Sequence, residues 1–91
     1  MDDSAYSDQL IMSLLYYIQY RSNPLDYVGY VMGVAVRKHG LGATPARYAD
    51  AVRRAIESDE RLNAILETGH SEELLRQFLK EVLRQIEEEG G

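Results

Sequence analysis

The pattern of hydrophobic and polar positions along the 91-residue chain predicts helices and no strand. Between Ser7 and Arg21, apolar residues recur at helical spacing and share one side of a helix at about 100° per residue. We expect this side of the first helix to face the core through Leu10, Ile11, Leu14, Leu15 and Ile18. No segment shows the period-two alternation that a half-buried strand requires.

The longest apolar run lies in a second predicted helix, over residues 24–39. Asn23 and Pro24 are a start signal, because the asparagine oxygen can cap a helix and proline fits its first position. Gly40 followed by Leu41 is a stop signal of the Schellman type. A helix that is apolar nearly all round is usually buried, so we expect this helix at the centre of the fold.

Two glycines one turn apart, Gly29 and Gly33, interrupt the second helix. Each costs about 1 kcal/mol relative to alanine in a helix interior. Close approach of another helix backbone is the usual compensation, so we expect at least one of these glycines to pack against another helix. Replacement of Gly33 by leucine would then overpack the contact.

The second half of the chain predicts three more helices. Thr44 and Pro45 start an amphipathic third helix by the same cap-then-proline logic, and we expect Tyr48 on its inward face. Ser58 can cap a short fourth helix that ends at Gly69, and Ser71 can cap a long last helix. The apolar face of the last helix is wide and contains Leu74, Leu75, Phe78, Val82 and Ile86.

These patterns predict an all-α fold, a compact orthogonal bundle of five helices, one of them short, around the buried central helix 24–39. A chain of 91 residues has room for one domain, which we expect to span residues 1–91. We expect residues 1–6 and 89–91 to be frayed.

Composition limits where the protein works. The chain has no cysteine, which rules out a disulfide or a thiolate nucleophile and fits a reducing compartment. Its first residues are acidic, whereas a secretory signal would be basic. The longest apolar run is about half of the ~20 residues that span a bilayer. We therefore expect a cytoplasmic protein without a membrane segment.

The net charge of −5 is unevenly distributed. Residues 37–56 carry a net charge of +4, between acidic segments on both sides. The bases in this part form a candidate patch of Arg37, Lys38, Arg47, Arg53 and Arg54. Residues 24–57 also have the order of a helix-turn-helix, so nucleic-acid binding is the alternative function.

Three features weigh against nucleic acid. The turn between the two helices is about five residues long, where three or four are usual. Asp50 can pair with Arg53 and Arg54 on its own helix, as on an ordinary solvated helix face. The whole domain is acidic, whereas small nucleic-acid binders are usually basic.

The aromatic residues are unusual, with seven tyrosines, one phenylalanine and no tryptophan. Met12, Tyr16 and Tyr20 recur every four residues, along a line of the first helix that differs from its core side. This stripe is either buried core or an exposed patch of the composition that interfaces favour. The second interpretation makes these three residues a candidate protein-interaction site.

Candidate chemistry is sparse. His39 ends the second helix and His70 lies in the turn before the last helix, where capping or solvent-exposed roles are common for histidine. The sequence contains no metal-ligand, nucleotide-binding or nucleophile motif. We predict no catalytic, cofactor-binding or metal-binding residues, and no small-molecule substrate or cofactor.

The sequence therefore predicts a non-enzymatic, helical protein-interaction or regulatory domain that binds another protein or a second copy of itself. The alternative is a nucleic-acid-binding protein that uses the basic face of residues 24–57.

Overall fold

The computed structural model describes residues 3–38 and 42–89, with side chains from Ser7 onward. Helix α1 is Asp3–Tyr16, and the α2 segment joins Pro24–Tyr27, Val28–Val31 and Met32–Val36. Helices α3, α4 and α5 are Pro45–Glu57, Leu62–Ile65 and Glu72–Glu88. Since the described residues contain no strand, the predicted all-α bundle of five helices, one of them short, is confirmed.

The core forms where α3 packs against both α1 and α5. Tyr48 of α3 and Phe78 of α5 are fully buried, as the apolar periodicity predicted. The core-facing residues of α1 are buried as well: Leu10, Ile11, Leu14, Leu15 and Ile18. The α2 segment covers α5, and α4 contacts α1 and α5.

Helix α1 ends at Tyr16, earlier than the predicted Arg21. After Tyr16 the chain tightens, with the Ile18 amide donating to the Leu15 carbonyl at 3.1 Å. Tyr20 then takes a left-handed conformation, and its amide donates to the Thr68 carbonyl at 2.9 Å. Hydrogen bonds to a distant loop thus replace the last helical turn, which a local pattern does not reveal.

The α2 segment begins as predicted, since the Asn23 side chain accepts a hydrogen bond from the Leu25 amide and Pro24 holds the first position. Its winding is not uniform: a 3₁₀ turn leads into an α turn and then a π turn. The π turn is closed by the Arg37 amide, which donates to the Met32 carbonyl at 2.8 Å. The predicted stop at Gly40 and Leu41 lies outside the described residues.

One face of the α2 segment is buried and the other is exposed. The buried face contains Val28, Val31, Met32, Ala35 and Val36. The opposite face leaves Leu25 and Tyr30 exposed. A uniform α-helix would place Leu25 beside Met32 and Val36, on the side that is buried. The 3₁₀ turn and the π turn change the angle per residue, so that placement does not hold.

The predicted close packing of Gly29 and Gly33 is wrong. A Cβ atom added to either glycine would meet no described heavy atom within 4 Å, apart from neighbours in the chain and in the helix backbone. Gly29 is exposed and Gly33 is half-buried, and no helix in the described part of the chain approaches either residue closely. The helix-propensity cost of these glycines is therefore not offset by a backbone contact.

The caps of α3 and α5 are those that the sequence predicted. The Thr44 hydroxyl accepts from the Arg47 amide, and the Ser71 hydroxyl accepts from the Leu74 amide. The predicted cap of α4 is wrong, because Ser58 instead accepts from the Glu60 amide. Helix α4 also ends before the predicted Gly69, with Leu66 as its extended C-cap.

The carboxylate of Glu72, at the start of α5, caps α4. It accepts hydrogen bonds from the amides of Leu62 and Asn63, at 2.6 and 2.9 Å. Desolvation by burial would raise the pKa of Glu72, but the hydrogen bonds from Asn63 and Leu62 outweigh it and lower that pKa. An anion at a helix N-terminus is favoured by the free amides and by the helix dipole.

Arg76 closes the other end of α3. Its guanidinium donates to the carbonyls of Ala55, Ile56, Ser58 and Glu60, at distances of 3.0 to 3.1 Å. The last carbonyls of a helix have no partner within the helix. Arg76 supplies those partners from α5, and so fixes α3 and α5 relative to each other.

Candidate protein-interaction surface

The predicted stripe on the first helix is exposed. Met12 is 42% exposed, Tyr16 66% and Tyr20 72%. The exposed interpretation of this stripe is thereby confirmed, and the core interpretation is wrong. Whether the stripe binds a protein stays a prediction.

Two further tyrosines extend the stripe towards the α2 segment. The ring of Tyr17 contacts the rings of Tyr16 and Tyr30 edge to face, with centroids 5.9 Å apart in both pairs. Tyr30 is 56% exposed. We call these residues the tyrosine face: Met12, Tyr16, Tyr17, Tyr20 and Tyr30. The sequence pattern does not reveal Tyr17 and Tyr30 as members, because their contact depends on how the α2 segment packs beside the end of α1.

Two shallow grooves meet on the tyrosine face and share Tyr16 and Tyr17 as walls. The first, of about 470 Å³, is also lined by Gln9, Met12 and Ser13. The second, of about 430 Å³, is also lined by Gln19, Tyr20, Arg21 and Tyr30. Because they share two walls, the grooves form one surface that extends from α1 to the α2 segment.

The loop between α4 and α5 fixes the position of Tyr20. Tyr20 has a φ of 61°, which is uncommon for a residue with a bulky side chain. Its ring lies against Gly69, where an added Cβ would stand 3.1 Å from the Tyr20 Cδ1 atom. With its amide bonded to Thr68, Tyr20 is held at the surface by contacts that are distant in sequence.

His70 also holds this part of the chain, which corrects its predicted capping or solvent-exposed role. Its Nε2 atom lies 2.9 Å from the Ile18 carbonyl oxygen, a group that only accepts, so Nε2 is the donor. Gln19 donates from Nε2 to the Glu67 carbonyl at 2.8 Å. The α4–α5 loop is therefore tied to the end of α1 by two side chains. His39 lies outside the described residues.

A single asparagine organises that loop. The Asn63 amide group donates to the His70 carbonyl and to the Glu72 carboxylate, at 2.9 and 2.8 Å. Its Oδ1 atom accepts from the amide and the hydroxyl of the fully buried Thr68. The loop that supports Tyr20 is thus a satisfied polar network, which fixes one conformation.

Two of the polar side chains beside the tyrosine face, Ser13 and Gln19, are bonded within the chain. The Ser13 hydroxyl donates to the Leu10 carbonyl at 2.8 Å, and the Gln19 amide group is bonded to Glu67. The groups left for a partner are aromatic rings, a thioether and tyrosine hydroxyls, with the Gln9 amide and the Arg21 guanidinium at the groove walls. Such a surface suits a binding site that is hydrated in the free protein and dry in the complex.

The candidate basic patch faces carboxylates. Arg37 makes a two-pronged contact with Glu89, at 2.6 and 3.1 Å, and Arg53 bonds to Glu87 at 3.0 Å. Arg54 lies 3.5 Å from Asp50, the predicted pair on the same helix. The end of α5 therefore places two acidic side chains against the patch.

The charges of Arg37 and Glu89 stabilise each other. The hydrogen bond from Arg37 lowers the pKa of Glu89, and the reciprocal hydrogen bond raises the pKa of Arg37. Lys38 and Arg47 are exposed at either side of the undescribed residues 39–41. The five bases do not form one uninterrupted positive ridge, because acidic groups from α3 and α5 lie among them.

A smaller cavity of about 220 Å³ lies between α1, α3 and α4. Its polar lining includes Asp8, Arg54, Ser58 and Glu60. Across residues 3–38 and 42–89, no group of three or more His, Asp or Glu side chains is placed to hold a metal ion. No helix in the same ranges is long and apolar enough to cross a membrane.

No family model, curated protein or solved structure matches the chain. A function has to be inferred from the surfaces of the molecule.

Proposed function

We propose that the chain is a non-enzymatic protein-interaction domain and that the tyrosine face is its binding surface. The observation that supports this most is the exposure of Tyr16, Tyr20 and Tyr30, at 66%, 72% and 56%, on one continuous surface. Scattered exposed apolar side chains need no explanation, but a contiguous patch is typical of interaction sites.

The chemistry of the face favours a protein as the partner. Tyrosine and methionine are enriched in the cores of protein interfaces, and tyrosine is a frequent hot-spot residue. The rings of Tyr16, Tyr17 and Tyr30 hold one another edge to face, so little side-chain entropy remains to be lost on binding. An ordered aromatic surface of this kind binds with less entropic cost than flexible side chains.

The non-enzymatic part of the proposal rests on the sequence. The chain has no cysteine, and it lacks the nucleophile, metal-ligand and phosphate-loop motifs that common reactions use. The same absence of cysteine supports the proposal that the protein works in the cytoplasm.

Nucleic-acid binding through Arg37, Lys38, Arg47, Arg53 and Arg54 is the weaker alternative. A phosphate group would have to displace Glu89 from Arg37 and Glu87 from Arg53. That exchange would remove part of the gain from counterion release.

The experiment that tests the proposal is site-specific photo-crosslinking in cells that produce the chain. A photoreactive phenylalanine analogue replaces Tyr16 in one sample and Glu57 in the control, an exposed residue of α3 outside both grooves. We expect discrete protein adducts from position 16 and none from position 57. Equal adducts at both positions, or none at position 16, would contradict the proposed binding surface.

A further inference from the structure

We propose that the partner presents a proline-rich segment in the polyproline II conformation, which lies across the two grooves of the tyrosine face. The inference rests on the proposed function and names the chemistry of the partner. A polyproline II segment is a left-handed helix with three residues per turn and no internal hydrogen bonds. Its conformation is formed before binding, so it loses little entropy on a shallow surface.

The structure disfavours the other common ways of binding a peptide. Addition of a strand requires a free sheet edge, and residues 3–38 and 42–89 contain no strand. Recognition of a phosphate group uses a cluster of arginines, whereas Arg21 is the one arginine among the described residues of the two grooves. A bound amphipathic helix needs an apolar groove, whereas these walls carry tyrosine hydroxyls and the Gln9 amide. Grooves walled by aromatic rings are instead typical of sites for proline-rich segments.

The tyrosine rings supply the ridges that such a segment needs. Tyr17 contacts Tyr16 and Tyr30 edge to face, with the ring planes at 79° and 78°, so neighbouring rings are nearly perpendicular. Tyr16 and Tyr17 are also the wall that the two grooves share. In a polyproline II helix every third residue returns to the same side, at a spacing of about 9 Å. The two prolines of a PxxP repeat can therefore lie on opposite sides of the shared wall.

The polar groups of the face complement a backbone that is rich in acceptors. Proline has no N–H group, so a proline-rich backbone offers carbonyl oxygens and few donors. The second groove offers donors in its tyrosine hydroxyls and in the guanidinium of Arg21. No described carboxylate lines either groove. This balance favours a proline-rich segment over a segment whose N–H groups all need acceptors.

Arg21 gives the bound segment a direction. It is exposed, it lines the groove that contains Tyr30, and its guanidinium carbon lies 5.4 Å from the centroid of the Tyr27 ring. A carboxylate of the partner beside Arg21 would complement this charge. We therefore expect an acidic residue at the end of the proline-rich segment that lies nearest to Arg21.

Fluorescence anisotropy of a labelled synthetic peptide with the purified full chain tests the inference. The peptide contains a PxxP repeat with a glutamate at one end, and in a comparison peptide alanine replaces each proline. We expect a dissociation constant between about 1 µM and about 1 mM for the first peptide and no binding of the second at about 1 mM. Equal binding of both peptides, or no binding of the proline peptide at about 1 mM, would overturn the inference.

Variants of the chain test whether the peptide lies on the tyrosine face. Tyr16→Ser should weaken binding of the proline peptide by about tenfold or more. The matched control, Leu25→Ser, removes an exposed apolar side chain from a different groove, formed with α5, and should leave binding unchanged. Equal weakening by the two variants would overturn the placement of the peptide on the face.

A charge cycle tests the direction independently of the tyrosines, and it applies even if Tyr16→Ser fails to fold. Replacement of the peptide glutamate by glutamine should weaken binding to the wild-type chain by about twofold to fivefold at low salt. Both peptides should bind Arg21→Gln equally, because the charge that distinguishes them has lost its counterpart. A glutamate effect that persists in Arg21→Gln would overturn the placement of the acidic end.

The proline-rich partner and the proposed function fail in different ways. If the proline peptide does not bind but position 16 crosslinks to a protein in cells, the proposed binding surface survives and the inference about its partner is overturned. If the peptide does not bind and position 16 gives no adduct, both proposals are overturned.

Discussion

At the scale of single residues, the fold depends on a few polar side chains whose roles were not evident from the sequence. The periodicity predicted core residues such as Tyr48 and Phe78 correctly, because burial of an apolar face follows from local spacing. It did not predict that Glu72 caps α4 or that Arg76 closes α3, since each bonds to residues at least nine positions away. Long-range polar contacts have no local periodicity that would reveal them.

Arg76 should be more important for stability than an arginine that pairs on its own helix. Arg76→Lys loses the planar fork that bonds four carbonyls, and we expect a loss of about 1–3 kcal/mol in the free energy of unfolding. The matched control is Arg84→Lys, which affects an exposed arginine paired with Glu81 and Glu88 of α5. Urea unfolding of both variants measures the difference. Equal losses in the free energy of unfolding would show that the carbonyl contacts of Arg76 add no more stability than the surface ion pairs of Arg84.

Glu72 should make part of the stability depend on pH. Because folding lowers its pKa from the ordinary value of 4.5, the carboxylate stabilises the fold above that pH. The contribution is lost as the pH falls through the lowered pKa. We expect Glu72→Gln to cost about 1–2 kcal/mol at neutral pH, since hydrogen bonds to a charged group are lost.

The free energies of unfolding of Glu72→Gln and of the wild type should become equal in acid, where Glu72 is protonated. Urea unfolding of both proteins as a function of pH gives the difference in stability, in which the titration of the other carboxylates cancels. A difference that stays constant from neutral pH into acid would mean that Glu72 does not act through its charge.

At the scale of the elements, α3 and α5 followed the sequence prediction and the α2 segment did not. Uniform winding predicted a helix buried all round, with glycines at a close contact. The 3₁₀ and π turns instead leave Gly29 exposed and Gly33 half-buried without a close helix contact, and they place Tyr30 beside Tyr17. The composition of a segment indicates that it is helical, but its turn type depends on what it packs against.

Replacement by alanine should stabilise the fold at Gly33 and destabilise it at Gly69. The added methyl of Gly33→Ala meets no described atom within 4 Å apart from chain neighbours and the adjacent helix backbone, and alanine adds helix propensity, so we expect a gain of up to about 1 kcal/mol. Gly69→Ala is strained by a φ of 83° and meets the Tyr20 ring, so we expect a loss of about 1 kcal/mol or more.

Thermal unfolding of the two alanine variants measures this contrast. A loss of stability in Gly33→Ala comparable to that in Gly69→Ala would mean that Gly33 is packed after all, as the sequence alone had suggested.

At the scale of the whole molecule, the sequence indicated both candidate surfaces. It did not reveal that the tyrosine stripe is exposed or that arginines of the basic patch are paired with carboxylates. The line of Met12 and Tyr16 follows from helical spacing, whereas Tyr20 lies beyond the end of α1 and is placed by the loop at Thr68 and Gly69. The exposure of the stripe depends on how few helices are available to cover α1, which only the assembled bundle reveals. The basic segment was evident from charge counting, whereas its pairing with the end of α5 required the tertiary arrangement.

The paired arginines predict weak binding to nucleic acid. We expect the wild-type chain to bind duplex and single-stranded DNA or RNA no more tightly than non-specific levels at low salt. Fluorescence anisotropy with labelled oligonucleotides at several salt concentrations measures this. A tight complex whose affinity falls steeply with salt would favour the alternative function, because it would require Arg37 and Arg53 to exchange carboxylates for phosphates.

The most direct test of the tyrosine face as a binding surface is the NMR signal of two methionine methyl groups during titration with the protein that crosslinks to position 16. Met12 lies on the face and is 42% exposed, whereas Met32 is 1% exposed in the core and serves as an internal control. If the partner binds through the face, the Met12 methyl resonance shifts as the partner is added and the Met32 resonance stays constant. A Met12 resonance that does not move during the titration would contradict the proposed binding surface.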